Sequence, residues 1–462
     1  MLRLTCYIPK IMKKVLFIFL ISSYTFAQTN PAITGWLINT TGITGRHYVA
    51  GNSTPIIDAV LANVQTVQYN ATYSYISATG IPAYITGPFQ DGNPSLATAQ
   101  NKIFRIPLAP VQGTGTIATT GGNIGVFKNG VALFDYRDGV AWNNNTGALC
   151  GGPGNPPCAG GPGSTQAWNR DAIPAERAGF DCAKAHPAMG NYHHHQNPSA
   201  FNLDLVVLSN VCATYPADGL YVINPSQHSP LLGFAYDGFP IYGAYGYTNT
   251  NGTGAITRMK SSYQLKSYPT GLRTNGPAIN QVIGTQTFFN GYFREDYEYI
   301  NHSGDATYLD SHNGRVCNTP EYPASLYPNG IYCYFATVDA NHNSAYPYVV
   351  GPTFYGNITV STVTSVPGGT TTLASNTFQD SDLKVTIAPN PASEFIAIQT
   401  PMAENDMDVY LINELGQIVK TSQILQGSTL SIIETDTVYN GIYFVKVTDG
   451  KNDKTVKVII NK

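Results

Sequence analysis

The segment "MGNYHHHQNP", Met189–Pro198, sets three histidines in a row in a chain that has nine among 462 residues. Imidazoles bind metals, move protons and form hydrogen-bonding walls, and spacing helps to select among these roles. In an extended strand successive side chains alternate between faces. His193 and His195 would then project together about 7 Å apart, while Tyr192 and His194 point the other way. Two imidazoles so placed hold one metal ion when a third ligand arrives from elsewhere in the chain. Candidates are His228 in "PSQHSP", Asp237 in "YDGFPIYG" and His312 in "LDSHNGR". Neutral imidazole, carboxylate and water suit Zn or Cu, although no fixed ligand spacing such as HExxH supports the set. The alternative is a histidine pair that hydrogen-bonds carbonyls and phenols of a tyrosine-rich interior without any ion.

Other chemistry is weaker. "FREDYEYINHSGDATYLDSHNG" gathers Glu295, Asp296, Glu298, Asp305 and Asp310, oxygen donors of the kind that hold Ca²⁺ outside cells, but without DxDxDG spacing. "DGFPIYG" suits a turn, so Asp237 can serve the backbone rather than a ligand. No Gly-rich loop precedes a helix, and no nucleophile elbow or Ser–His–Asp set emerges from spacing.

The elements that must carry these residues are strands. Charged residues make up 11% of the chain, with 45 Gly, 30 Pro and 31 Tyr. That composition is poor for amphipathic helices and favours short strands joined by turns. "GGNIGVFKNGVALFDYRDG" places Asn129-Gly130 between two apolar runs, a strong hairpin signal. "FNLDLVVL" suits a buried strand, "PNGIYCYFATVD" another, and "TQAWNRDAIPAERAGFD" one short helix. The net charge of −3, with no Lys/Arg run, excludes an electrostatic grip on nucleic acid.

Lys13 and Lys14 before "VLFIFLISS" predict an export signal over residues 1–27, with translation starting at Met12, cleavage after Ala27 and no membrane span once it is removed. Loss of the signal removes Cys6. The six remaining cysteines predict disulfides, with Cys150–Cys158 and Cys317–Cys333 as natural local pairs, leaving Cys182 with Cys212; sequence alone does not fix that connectivity. Composition shifts divide the rest. An N-terminal β region spans 28–122, and a His- and Tyr-bearing domain spans 123–357. The Ser/Thr-rich "ITVSTVTSVPGGTTTLASNTFQDSD" of 358–382 is expected to be a linker, followed by a new strand pattern over 383–462. The fold class is mainly β: a large, disulfide-stapled antiparallel domain with long loops, then a small Ig-like β-sandwich.

Two family resemblances sharpen this outline. "IAPNPASEFIAI", "VYLINELGQIV", "YNGIYFVKV" and the basic end "KTVKVIINK" resemble, in order, the C-terminal sorting domain of type IX secretion cargo. The resemblance implies a Bacteroidetes-type bacterium, passage through the periplasm, engagement with the type IX machinery, and a secreted or cell-surface destination. "GNYHHHQNP", "HSPLLGFAYDGFPIYGAYGY" and "LDSHNGRVCNTPEYPASLYPNGIYCYFATVD" resemble the YHYH-domain family over about 123–357. Its name motif falls on Tyr192, His193, His194 and His195, with His194 in place of the second Tyr. "NGIYCYF" echoes the motif, with Cys333 and Phe335 where the first copy has His193 and His195. The resemblance implies a His-centred site without implying a reaction.

Three roles remain open for that site. As a metal centre it would use His193, His195 and His228 as ligands, with Tyr192, Asp237, His312 and Asn313 around them. As a non-catalytic extracellular module it would stack Tyr and His on a glycan, another environmental polymer or a small molecule. A structural role needs neither.

Overall fold

The computed structural model describes residues 30–90, 96–152, 154–159, 165–206, 209–359, 361–373, 383–413, 418–449 and 453–462. The expected signal sequence, its cleavage site and Cys6 lie outside the described residues. The chain divides into two compact units, Met1–Ala374 and Ser375–Lys462.

The first unit is built on an eight-stranded sheet. Its strands in chain order are β1 (Asn123–Phe127), β2 (Ala132–Phe134), β3 (His186–Ala188), β4 (Asn191–His194), β5 (Leu231–Ala235), β6 (Pro240–Tyr242), β7 (Gly314–Cys317) and β8 (Ile331–Phe335). They lie side by side in the order β3-β4-β2-β1-β5-β6-β8-β7. Pairing is antiparallel except at β4–β2 and β6–β8, which are parallel. The sheet therefore has the same pattern from either edge: a central hairpin, a parallel neighbour, and an antiparallel outer strand.

Local hydrogen bonds repeat with the same symmetry. Asn129 Oδ1 accepts from Val131 N in the β1–β2 turn, and Asp237 Oδ1 accepts from Phe239 N in the β5–β6 turn. Ahead of β3, Asp181 accepts from Ala183 N, Ala185 N and the Tyr192 hydroxyl. Ahead of β7, Asp310 accepts from His312 N, Gly314 N and the Tyr332 hydroxyl. Lys184 and Asn313, at matching places in these turns, both have φ of 67°. Tyr192–His195 thus corresponds to Tyr332–Phe335 as an internal repeat, and the two copies sit in opposite halves of one sheet rather than as paired neighbours.

The stretch 28–122 does not form a core of its own. Val64, Ile76 and Phe104 share one buried cluster with Phe127, Phe234 and Phe335. Part of the expected 358–382 linker is also structured: Thr362–Val363 pairs with Lys102–Pro107, and Thr371–Thr372 with Val64–Tyr69, at the two edges of a five-stranded sheet. Threonines with open backbone are edge-strand material despite the Pro-Gly-Gly break between them.

The described part of "FNLDLVVL", residues 201–206, is not a strand. Phe201–Leu203 is a 3₁₀ turn, and Leu205 and Val206 are exposed. Two expected disulfides form, Cys150–Cys158 and Cys182–Cys212. Cys317 and Cys333 are buried free thiols. Cys317 faces Ile331 and Cys333 faces Arg315, a diagonal relation that leaves the two thiols in hydrogen-bonding contact without a bond between them.

The second unit is a β-sandwich. A three-stranded sheet (Thr386–Ala388, Phe395–Gln399, Leu430–Glu434) and a four-stranded one (Met407–Asn413, Ile418–Ile424, Gly441–Thr448, Asp453–Ile460) share a core that includes Ile396, Ile398, Val409, Leu411, Val445 and Val447.

The β3–β4 hairpin turns on two residues, Met189 and Gly190, with φ of 49° and 83°. Positive φ at both positions is the mark of a type I′ turn, which favours Asn-Gly. A Cβ on Gly190 would come within 2.1 Å of Thr98 Oγ1. Gly190→Ala is therefore expected to cost about 1–3 kcal/mol in urea unfolding. Met189→Asn, at a side chain 95% exposed, should instead stabilise by up to about 1 kcal/mol.

Candidate metal centre

The Met189-Gly190 turn fixes the hairpin register and sets His186 directly opposite His193. His195 lies one residue past the end of β4, on the face that His193 occupies. The ligand nitrogens of His186, His193 and His195 all lie within 4.8 Å of one another, and all three residues are buried. This is the one such group of three or more His, Cys, Asp or Glu among the described residues.

The tautomers follow from the partners. His193 Nδ1 lies 2.8 Å from the Asn191 carbonyl and His195 Nδ1 lies 2.7 Å from the Asp135 carbonyl. A carbonyl only accepts, so both Nδ1 atoms carry the hydrogen and donate it. Both Nε2 atoms of the neutral rings are then bare lone pairs, and they face each other at 3.0 Å. Two tetrahedral Zn ligands with bonds of about 2.0–2.1 Å stand about 3.3 Å apart, close to that separation.

A proton between the rings is disfavoured. Burial, then His195 and His186, hold His193 well below the usual imidazole range. Burial also lowers His195, against a pull upward from Glu176. Phe134 stacks on His193 with centroids 3.7 Å apart, and Phe180 meets His186 edge-on at 4.8 Å, holding the orientation of both rings.

Glu176 closes a five-residue helix, α1 (Ala172–Glu176), whose first turn is capped by Asp171 accepting from Ile173 N. Its Oε2 lies 3.3 Å from His186 Nε2 and 3.5 Å from His195 Nε2. Burial pushes this carboxyl up, but His186 and His195 outweigh it and leave it below the usual range.

His194 points to the opposite face, where Nδ1 donates to the Lys184 carbonyl and Nε2 meets the Tyr84 hydroxyl. Burial drives its pKa down to about 3. Tyr192 lies there too, bound to Asp181.

The remaining sequence candidates belong to the other half of the sheet. His228 donates from Nδ1 to the Ser229 carbonyl and packs on Tyr242 of β6. That strand is four places from β4, about 19 Å at the usual strand spacing, so His228 does not complete the histidine set. Asp237 accepts from the Tyr334 hydroxyl and Gly356 N, and burial raises it to about 6 against those bonds. His312 Nδ1 meets Thr353 Oγ1, and Asn313 donates to the Phe335 and Val349 carbonyls. Each is an element of the repeat, not a neighbour of His193. The acidic residues weighed for Ca²⁺ do not converge either. Asp296 binds Arg273, Glu295 binds Arg294, Glu298 accepts from Gln264, Asp305 faces Lys260, and Asp310 serves its own turn.

The family model described as YHYH protein matches residues 103–347, more than half of the chain. The chain belongs to the YHYH protein family. The match begins inside the N-terminal β region of 28–122. A secretion system C-terminal sorting domain matches residues 386–461. The chain is thus type IX cargo bound for the cell surface or the extracellular space, and no described helix is long and apolar enough to cross a membrane. Among solved structures, PorZ, a surface component of the type IX secretion system of Porphyromonas gingivalis, aligns at 15% identity. That alignment covers 34% of this chain and 16% of PorZ, with a TM-score of 0.15. No curated protein matches the chain.

His186 and Glu176 escaped the sequence reading. The signal for His186 was present in "HPAMGNYHHH": a two-residue Met-Gly turn pairs positions seven apart. Glu176 had no such signal, because a helix end reaches the site only through the tertiary fold.

Behind the hairpin, buried Lys184 pairs with Asp204, and its backbone carbonyl holds His194. Lys184→Met should cost about 3–5 kcal/mol by leaving Asp204 without its buried partner. Lys184→Met/Asp204→Leu should recover most of that loss, as read by a double-mutant cycle in denaturant.

Proposed function

We propose that this YHYH protein is an exported metal-binding protein that holds one divalent first-row ion, Zn or Cu, through His186, His193 and His195. The observation that supports this reading most directly is the pair of Nε2 lone pairs facing each other at 3.0 Å, each fixed by an Nδ1–H bond to a backbone carbonyl. Only a cation turns that contact from repulsive to attractive, and burial disfavours the proton. The same arrangement, with the distal ring N–H tied to a carbonyl, orients ligand imidazoles in metal sites generally. Imidazole nitrogen suits Zn and Cu, and three such ligands leave at least one coordination position to fill.

The test is metal content by mass spectrometry on chain prepared without a histidine tag. About one equivalent is expected in the wild type and in His228→Ala. Almost none is expected in His193→Ala/His195→Ala. Absence of metal from the wild type after reloading with Zn and Cu would overturn the reading. Stripping the ion should also lower unfolding stability, by about 2.7 kcal/mol relative to chain in free ion at a hundred times Kd.

The sorting domain makes a separate prediction. In a host with type IX secretion, a chain ending at residue 373 should accumulate in the periplasm, whereas the full chain reaches the medium or the cell surface. Cell fractionation distinguishes the two.

A further inference from the structure

We propose that Glu176 is a fourth ligand of this centre and closes it on the solvent side. The proposal rests on the metal reading above and adds a residue that no histidine pattern marks.

Glu176 Oε2 stands 3.3 Å from His186 Nε2, within reach of a hydrogen from that ring, and 3.5 Å from His195 Nε2. The His195 hydrogen is committed to Asp135, so a carboxylate oxygen and an imidazole lone pair face each other with no proton between them. This is the His193–His195 conflict again with a third donor atom, and one cation among the three relieves both. The basic side chains close in sequence are engaged elsewhere: Arg170 binds Asp138, and Arg177 faces Asp204. What Glu176 faces instead is the cluster of imidazoles.

Charge points the same way. Three neutral imidazoles around a divalent ion leave two uncompensated positive charges in a buried site, and one carboxylate removes half of that burden. Oxygen beside nitrogen also suits the divalent ions already named. Position assigns Glu176 a further part. Its side chain is 22% exposed, against 7% for His186 and 3% for His195. Oε2 itself is buried, so the exposed part of the side chain lies on the outer side of the cluster.

The experiment uses the full chain stripped of metal and titrated with Zn²⁺ against a chromophoric chelator, and with Co²⁺ followed by its visible spectrum. Wild type, Glu176→Gln and Glu176→Asp are compared. Glu176→Gln should bind Zn²⁺ at least about tenfold more weakly and release it faster to chelator, with an altered Co²⁺ spectrum. Glu176→Asp should keep the ion but shift the spectrum. Unchanged affinity and spectrum in Glu176→Gln, in a chain whose wild type binds the ion, overturn this proposal alone. A wild type that binds neither ion overturns the metal reading and this proposal with it. Should Glu176→Gln fail to fold, the Asp variant decides: a Co²⁺ spectrum identical to wild type rules the carboxylate out.

Discussion

Two hydrogen bonds to backbone carbonyls govern the site. By donating Nδ1–H to Asn191 and Asp135, His193 and His195 give up their only hydrogens and turn both Nε2 lone pairs inward. Neither ring can escape by changing tautomer, because a carbonyl cannot return a proton. Neither readily takes up a second proton, because burial and neighbouring imidazoles penalise the charged form. Phe134 and Phe180 pack on the rings of His193 and His186 and hold their orientation. The arrangement leaves two nitrogen lone pairs facing each other on one strand, and the proposed cation site is argued from that pair.

The internal repeat explains why, among the described residues, the histidine cluster occurs in one half of the sheet. Both halves of the sheet use the same frame: an Asx turn in the inner hairpin, an aspartate gathering the next turn, and a tyrosine hydroxyl returned to that aspartate. What differs is the cargo on the frame. Where the first half carries His186, His193 and His195, the register of the second places Arg315, Cys333 and Phe335. Arg315 is spent on the Tyr247 carbonyl, and Phe335 packs against His228. The frame is therefore a structural solution that stands without the ion, and the ligands are an addition to one copy of it.

Sequence carried the outline of this because strands obey period-two alternation and turns have residue signatures. The split of His193 and His195 from Tyr192 and His194, the Asn129-Gly130 hairpin, the mainly β class and the terminal sandwich all rest on local rules. The third ligand did not. His228, Asp237 and His312 were drawn in because they stand in motif-rich segments, yet the sheet's two-fold pattern sends those segments to the opposite half. Distance along the chain misled in both directions: His186, seven residues from His193, was overlooked as too near to notice. "FNLDLVVL" failed for a related reason. Its alternation did not translate into burial, and Leu205 and Val206 ended at the surface.

Support for the ligands is assembled before any ion arrives. Asp181 ties the turn ahead of β3 to Tyr192 of β4 and to Gly87. Next to it, the Cys182–Cys212 disulfide closes a loop of 30 residues, worth about 3.5 kcal/mol on loop entropy alone. Behind these lies one core cluster that runs from Ala32 to Phe354. Small metal domains fold only when the ion supplies the missing free energy. Here the sheet, the disulfide and the aspartate knot already hold the hairpin, so the lone-pair conflict is a local strain that the rest of the fold can tolerate. An ion entering such a site does not build the domain. On the proposed metal reading it relieves that strain and adds its binding free energy to a fold that already stands without it.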